Sequence, residues 1–221
     1  MKPGMGLDVP LKRITRHMRA AHDEAVSRIR ADQGTWTSHT VVVVDQSGSM
    51  RKTDIGEDVS RSDAVWLSLA VDFVARSLEA QTATPSDVVS VVAMGPSGTV
   101  LIDRIPHDWI FYNAVVALLR SQEPNFDGNY LRALDTAEQL LVQNASGSCA
   151  LALLFLSDGR PSDQVEKRSD ADEPGATTRS RLNAAVNARV GALASRLSLR
   201  PPCEAVSYYL RRYFFIATTC A

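Results

Sequence analysis

The stretch VVVVDQSGSM, from Val41 to Met50, carries the reading of both the fold and the site. Val41, Val42, Val43 and Val44 are β-branched and follow one another without a polar residue between them. A strand covered on one face alternates apolar and polar residues, whereas a strand covered on both has no wet side to supply. The run therefore predicts a buried strand in a parallel sheet. It ends on Asp45, Ser47 and Ser49, three oxygen-bearing residues at alternate positions with Gly48 among them. That spacing directs the three groups into one concave loop, and Gly48 is expected to free the backbone for a sharp turn.

Working outward, Asp87 to Met94 (DVVSVVAM) and Gly98 to Ile105 read as second and third strands. The short Gly-Pro-Ser-Gly link between them permits a hairpin, so one antiparallel strand is expected in an otherwise parallel sheet. Leu151 to Leu156 (LALLFL) is another fully apolar strand, and Tyr208 to Ala217 is a candidate for a last one. Helical spacing links Leu11, Ile14, Met18, Ala21, Ala25 and Ile29, with Gly34 expected to end that helix in a left-handed conformation. It returns over Ser62 to Leu78, Trp109 to Leu119, Tyr130 to Val142 and Arg181 to Leu197. Alternating strands and helices imply a Rossmann-like α/β fold, an open and mostly parallel sheet with helices on both faces. Residues 1–37 read as an amphipathic helical extension and residues 38–221 as the domain proper. Residues 160–177, polar and charged, read as a long exposed loop. Trp36, Trp66 and Trp109 are expected in or against the core.

The 221 residues suffice for one buried core plus short extensions. A net charge of -1 lacks the overall basic field of a nucleic-acid binder. The first helix does present Lys12, Arg13, Arg16, Arg19, Arg28 and Arg30 on one face, a solvated surface able to meet an acidic membrane or partner. Cys149, Cys203 and Cys220 match no zinc pattern or disulfide framework, which favours a reducing compartment. No apolar segment approaches the ~20 residues of a transmembrane helix. The first residues, MKPGMGLDVPLKR, lack the apolar core of a secretory signal, so a cytoplasmic location is expected. Nothing in the sequence specifies an oligomeric state.

In open α/β sheets, ligands bind beyond the carboxyl ends of the parallel strands. Two apolar strands here end alike, one in Asp45-Gln46-Ser47-Gly48-Ser49 and the other in Ser157-Asp158-Gly159. Two hydroxyls with one or two carboxylates suit a hard divalent cation, Mg²⁺ first, with Mn²⁺ or Ca²⁺ also compatible. Serine ligands are neutral, so such a cation keeps residual positive charge and an open position. An Asp or Glu carboxylate of a partner protein can fill it, and no bond need be made or broken. Enzymatic readings fare worse. A haloacid-dehalogenase-type phosphatase needs Asp-x-Asp, whereas Asp45-Gln46-Ser47 supplies no second carboxylate as general acid. Ser49-Met50-Arg51-Lys52 fits Ser-x-x-Lys, but the companion motifs of penicillin-recognising enzymes are absent. His17, His22, His39 and His107 are scattered and form no metal or triad spacing.

Asp45-x-Ser47-x-Ser49 after the valines, Met50, and Ser157-Asp158-Gly159 about a hundred residues on resemble the metal-ion-dependent adhesion site of von Willebrand factor type A (vWA) and integrin I domains. The resemblance covers roughly residues 38 to 200. It implies that Asp45, Ser47, Ser49 and Asp158 form the metal site of a protein-binding, non-enzymatic module. The family usually adds a threonine before the fourth helix, where this chain has Gly128 within Asn125-Phe126-Asp127-Gly128-Asn129-Tyr130. Asp127, Asn129 or water is left to supply that oxygen. The resemblance also implies a further strand and helix beyond the tail SYYLRRYFFIATTCA, which this chain is expected to lack. A metal-independent scaffold, or a regulatory part of a larger enzyme system, is the alternative that such domains suggest.

Overall fold

Seven of the eight residues of strand β1, Ser38–Asp45, are buried, and the two faces of the strand feed two separate cores. Our computed structural model describes residues 9–55, 58–125, 127–143, 149–158 and 178–197. In it β2 (Asp87–Met94), β3 (Thr99–Pro106) and β4 (Ala150–Leu156) complete a four-stranded sheet in the order β3-β2-β1-β4. β1 pairs in parallel with both β2 and β4, and β2 pairs with β3 in the expected antiparallel hairpin. That hairpin turns through Gly98 at φ +64°, where an added Cβ would meet the Arg132 carbonyl at 2.9 Å.

The helices are α1 (Arg16–Ala31), α2 (Arg61–Ser68), α3 (Arg76–Glu79), α4 (Trp109–Ser121), α5 (Tyr130–Val142) and α6 (Thr178–Arg196). A π-helical segment, Leu69–Ala75, joins α2 to α3, so the single periodic stretch of the sequence becomes one continuous but irregular rod. On one face of the sheet Val42, Val44, Val89 and Val91 pack with Trp66 and Leu69 and with Phe111 and Val115 of α4. On the other, Val41, Val43, Val92 and Phe155 pack with Ala133, Leu134 and Leu141 of α5 and with Leu193 of α6. Consecutive valines thus point to opposite cores, which is why the run tolerates no polar residue. Each fully buried valine contributes roughly 1.5–3 kcal/mol over an exposed one.

α1 lies against β3 and α4 and covers the hairpin edge of the sheet, where unpaired backbone groups would otherwise face solvent. Its start is later than the periodicity suggests. Thr15 caps it by accepting from the Met18 amide at 3.2 Å, and Leu11 stays 52% exposed ahead of it. The preceding residues run along α4 instead: Tyr112 and Arg120 donate to the carbonyls of Pro10 and Val9, at 3.1 and 2.8 Å. Gly34 does not end α1 in the left-handed region. The chain leaves the helix at Asp32 in an extended conformation, and the Asp32 carboxylate accepts the Gly34 amide at 2.8 Å. Trp36 and Trp66 are buried, and Trp109 packs against the first core. Among the described residues no helix is long and apolar enough to cross a membrane. The outer edge of β4 carries no further strand among the described residues. The candidate strand Tyr208 to Ala217 and the 160–177 loop lie outside them.

Candidate metal centre

β1 leads to helices on one face of the sheet and β4 to a helix on the other, so their carboxyl ends flank the point where the chain's winding reverses. Asp45 and Asp158 stand at those two ends. The loop after β1 is ordered by its own side chains. Asp45 Oδ1 accepts the Ser47 amide at 2.7 Å, a local turn that aspartate favours. Ser47 Oγ and Ser49 Oγ lie 3.0 Å apart, so both hydroxyls share one small volume. Ser47–Met50 closes in a 3₁₀ turn that sends Met50 into the first core. Gly48 has an ordinary backbone conformation, and a Cβ there would meet only the Arg51 guanidinium at 3.4 Å. The turn therefore does not depend on glycine, contrary to the expectation from sequence.

Asp45 is fully buried. Its other oxygen, Oδ2, accepts from Ser157 Oγ, which in turn is bonded to the Tyr130 hydroxyl. Ser157 gives its only proton to the carboxylate, so Tyr130 is the donor to Ser157. Burial pushes the Asp45 pKa up; the bonds from Ser157 and Ser47 act against this, and the nearby charge of Asp158 adds to it. The site thus carries a buried carboxylate whose charge is uncomfortable as it stands.

Asp158 is buried as well, and its two oxygens differ. Oδ2 accepts from Arg61 Nη1 at 2.6 Å, while Oδ1 is buried with no hydrogen-bond partner among the described residues. Gln46 Oε1 beside Asp45 is a second buried acceptor without a partner among the described residues. Buried acceptors are normally satisfied, and orphans commonly face a water or an ion. Among the described residues no three His, Cys, Asp or Glu side chains gather as a metal cluster, so hydroxyls must complete any site. The donor set of Asp45, Ser47, Ser49 and Asp158, with a buried carboxylate oxygen left without a partner among the described residues, fits a hard divalent cation.

The segment before α5 comes close without converging equally. The Asn125 amide donates to the Gln46 carbonyl at 3.1 Å, tying this segment to the β1 loop. Asp127 is exposed, and Asn129 Nδ2 reaches towards the Pro96 carbonyl at 3.5 Å. Gly128 is buried between them. Gly159 lies outside the described residues. Sequence reasoning missed Arg61 and Tyr130. Neither sits in a recognisable spacing with its partner: Arg61 and Asp158 are 97 positions apart, and Tyr130 and Ser157 are 27 apart.

Residues 40–160 match the family model described as von Willebrand factor type A domain, and the chain belongs to that family. A search of the curated proteins finds no match. Among solved structures, the chain is similar to the pilus adhesin SpaC from Lactobacillus rhamnosus GG in its open conformation, at 18% identity over 57% of this chain and 15% of that one, with a TM-score of 0.46. It is similar to the three N-terminal domains of the type V pili tip protein Mfa5 from Porphyromonas gingivalis, at 19% identity over 80% and 30%, with a TM-score of 0.47. A von Willebrand factor type A protein from Catenulispora acidiphila gives 16% identity over 72% and 31%, with a TM-score of 0.44. The chain spans less than a third of the length of each of these proteins.

Proposed function

We propose that the chain is a protein-binding module without catalytic activity, which holds a divalent cation and offers it to an Asp or Glu carboxylate of a partner protein. Asp45 and Asp158 would hold the cation, directly or through water, with Ser47 and Ser49 as hydroxyl ligands. Mg²⁺ suits this donor set best, with Mn²⁺ and Ca²⁺ as alternatives. Bound there, the cation supplies an electrophilic position that a carboxylate can occupy. The observation that carries the reading is the buried Oδ1 of Asp158, which has no partner among the described residues, beyond the end of β4 and next to the strand that ends in Asp45. Asp127 and Asn129 remain candidates for the oxygen that Gly128 does not provide. A cytoplasmic setting is part of the same proposal, supported by three cysteines whose spacing matches no disulfide framework.

A thermal melt in EDTA and in rising Mg²⁺ or Mn²⁺ tests the reading. A ligand that binds only the folded chain adds about 2.7 kcal/mol of stability at a hundred times its dissociation constant. The expected result is a metal-dependent rise in melting temperature that Asp45→Ala abolishes. A cooperative melt indifferent to metal would sink it. A second reading has one observation in its favour: Arg61 already supplies a positive charge to Asp158, as a metal-independent scaffold would need. Partner binding indifferent to EDTA would select that reading.

A further inference from the structure

The sequence Ser60-Arg61-Ser62-Asp63 places an arginine where helix electrostatics disfavour it. Ser60 and Asp63 form a capping box, with the Asp63 amide donating to Ser60 Oγ at 3.1 Å and the Ser60 amide to Asp63 Oδ2 at 3.2 Å. This fixes Arg61 as the first residue of α2, at the positive end of the helix dipole. Its side chain is also buried, at 7% exposure. A buried cation at a helix N-terminus is held only by compensating anions. Arg61 has two. Its Nε donates to Asp54 Oδ1 at 2.7 Å and its Nη2 to Asp54 Oδ2, while Nη1 reaches Asp158 Oδ2 at 2.6 Å. Its own amide donates to the Lys52 carbonyl at 2.9 Å, which anchors the loop leading from the β1 motif to α2.

We propose that Arg61 is the built-in counter-ion of the metal site: it holds Asp158 in place before a cation arrives and thereby limits how tightly that cation binds. This rests on the metal-binding reading of Asp45, Ser47, Ser49 and Asp158. The planar fork is pinned from outside by the half-exposed Asp54, so one Asp158 oxygen is locked and the other is left presented. Without Arg61, Asp45 and Asp158 would be two buried carboxylates repelling each other. With it, an arriving cation meets a fixed positive charge on the far oxygen of the same carboxylate. One interaction therefore steadies the metal-free chain and weakens the metal-bound one, and Arg61 acts as a positioning residue rather than a ligand.

The test uses the full chain carrying Arg61→Gln, which keeps a donor but loses the charge, and Arg61→Lys, which keeps the charge but loses the fork. Mn²⁺ is titrated by calorimetry, and melts are recorded in EDTA. R61Q is expected to bind Mn²⁺ about tenfold more tightly and to melt lower in EDTA, whereas R61K binds Mn²⁺ as the unsubstituted chain does. The EDTA loss of R61Q should shrink when Asp158→Asn is already present, because the two residues act on each other. Mn²⁺ binding by R61Q that is unchanged or weaker, in a chain whose unsubstituted form binds Mn²⁺, overturns the proposal alone. Silence of every variant and of the unsubstituted chain towards Mn²⁺ overturns the metal reading beneath it, and the proposal with it.

Discussion

The two ends of the parallel sheet each carry an aspartate among hydroxyls, and they have opposite electrostatic characters. At the amino end, Asp87 of β2 accepts from Ser38 Oγ at 2.6 Å, from Thr37 Oγ1 at 2.8 Å, and from the Thr84 amide and hydroxyl at 2.7 and 2.9 Å. Partial burial raises its pKa, and these four bonds more than offset that, leaving it below the ordinary carboxylate value. At the carboxyl end, the Asp45 pKa is pushed up by burial, and Asp158 keeps an oxygen with no partner among the described residues. Both clusters draw on the same residue types. One is complete within the protein and clamps strand ends and a turn together. The other has acceptors to spare. Saturation, rather than composition, separates the structural acid at one end from the candidate site at the other.

The strongest way to probe the amino end is acid. His39 of β1 is buried between Trp36 and Ser90, and its pKa is lowered to about 3, by desolvation first and by the charge of Arg104 second. The unfolded chain takes up this proton near pH 6.5 and the folded chain does not until about pH 3. Between these values the unfolded state binds more protons, so stability falls as pH falls. Each pH unit in that window should shift the folding equilibrium about tenfold on account of His39. His107, also lowered by burial, adds to the same slope. Urea midpoints measured from pH 7 to 4 check this, and His39→Gln should remove about one proton's worth of the dependence. A flat profile above pH 4.5 would break this description of the amino end.

Next in size is the direct contrast between the two acids. Asp87→Ala, losing four hydrogen bonds at a half-buried position, should cost about 2–3 kcal/mol in urea unfolding with EDTA present. Asp45→Asn keeps the shape and removes a charge that burial disfavours, so in EDTA it should change stability by less than about 1 kcal/mol, or raise it. Equal losses in both variants would erase the distinction drawn between the two ends. The smallest effect concerns Gly48. Gly48→Ala should stay within about 0.5 kcal/mol and leave the metal-dependent melt unchanged, since the added Cβ meets only a flexible guanidinium. A large loss there would mean that the loop needs glycine after all.

These contrasts also show which parts of the molecule the sequence could announce. Strands β1 and β4 were legible because burial on both faces leaves an unbroken apolar run, β2 is interrupted only by Ser90, and β2 and α5 have the bounds read from the sequence. The hairpin followed from the brevity of one link. The onset of α1 was misread because Leu11 and Ile14 have helical spacing, whereas Thr15 caps the helix behind them. Gly34 was misread because α1 ends at Asp32 in an extended conformation, and the Asp32 side chain then caps the turn that holds Gly34. At the site, Asp45, Ser47 and Ser49 are close in sequence and so could be seen together, and Asp158 was visible as the end of an apolar run. Arg61 was not. A charge at a helix start looks like surface, and only the folded chain reveals that its partner lies 97 residues away.

The central place of β1 has a consequence for synthesis. The strand is complete once Asp45 has been made, yet one of its two partners, β4, ends at Leu156. At about 5–20 residues per second, a ribosome takes roughly 6–20 s to cover that interval. Until Met94 is made both edges of the four-valine strand are open to any passing β segment, and from then until Leu156 the edge that β4 will cover stays open. The nascent chain is therefore open to mispairing on both edges of β1 until β2 is made and on one edge until β4 is made, and a chaperone would help it over the whole of that interval.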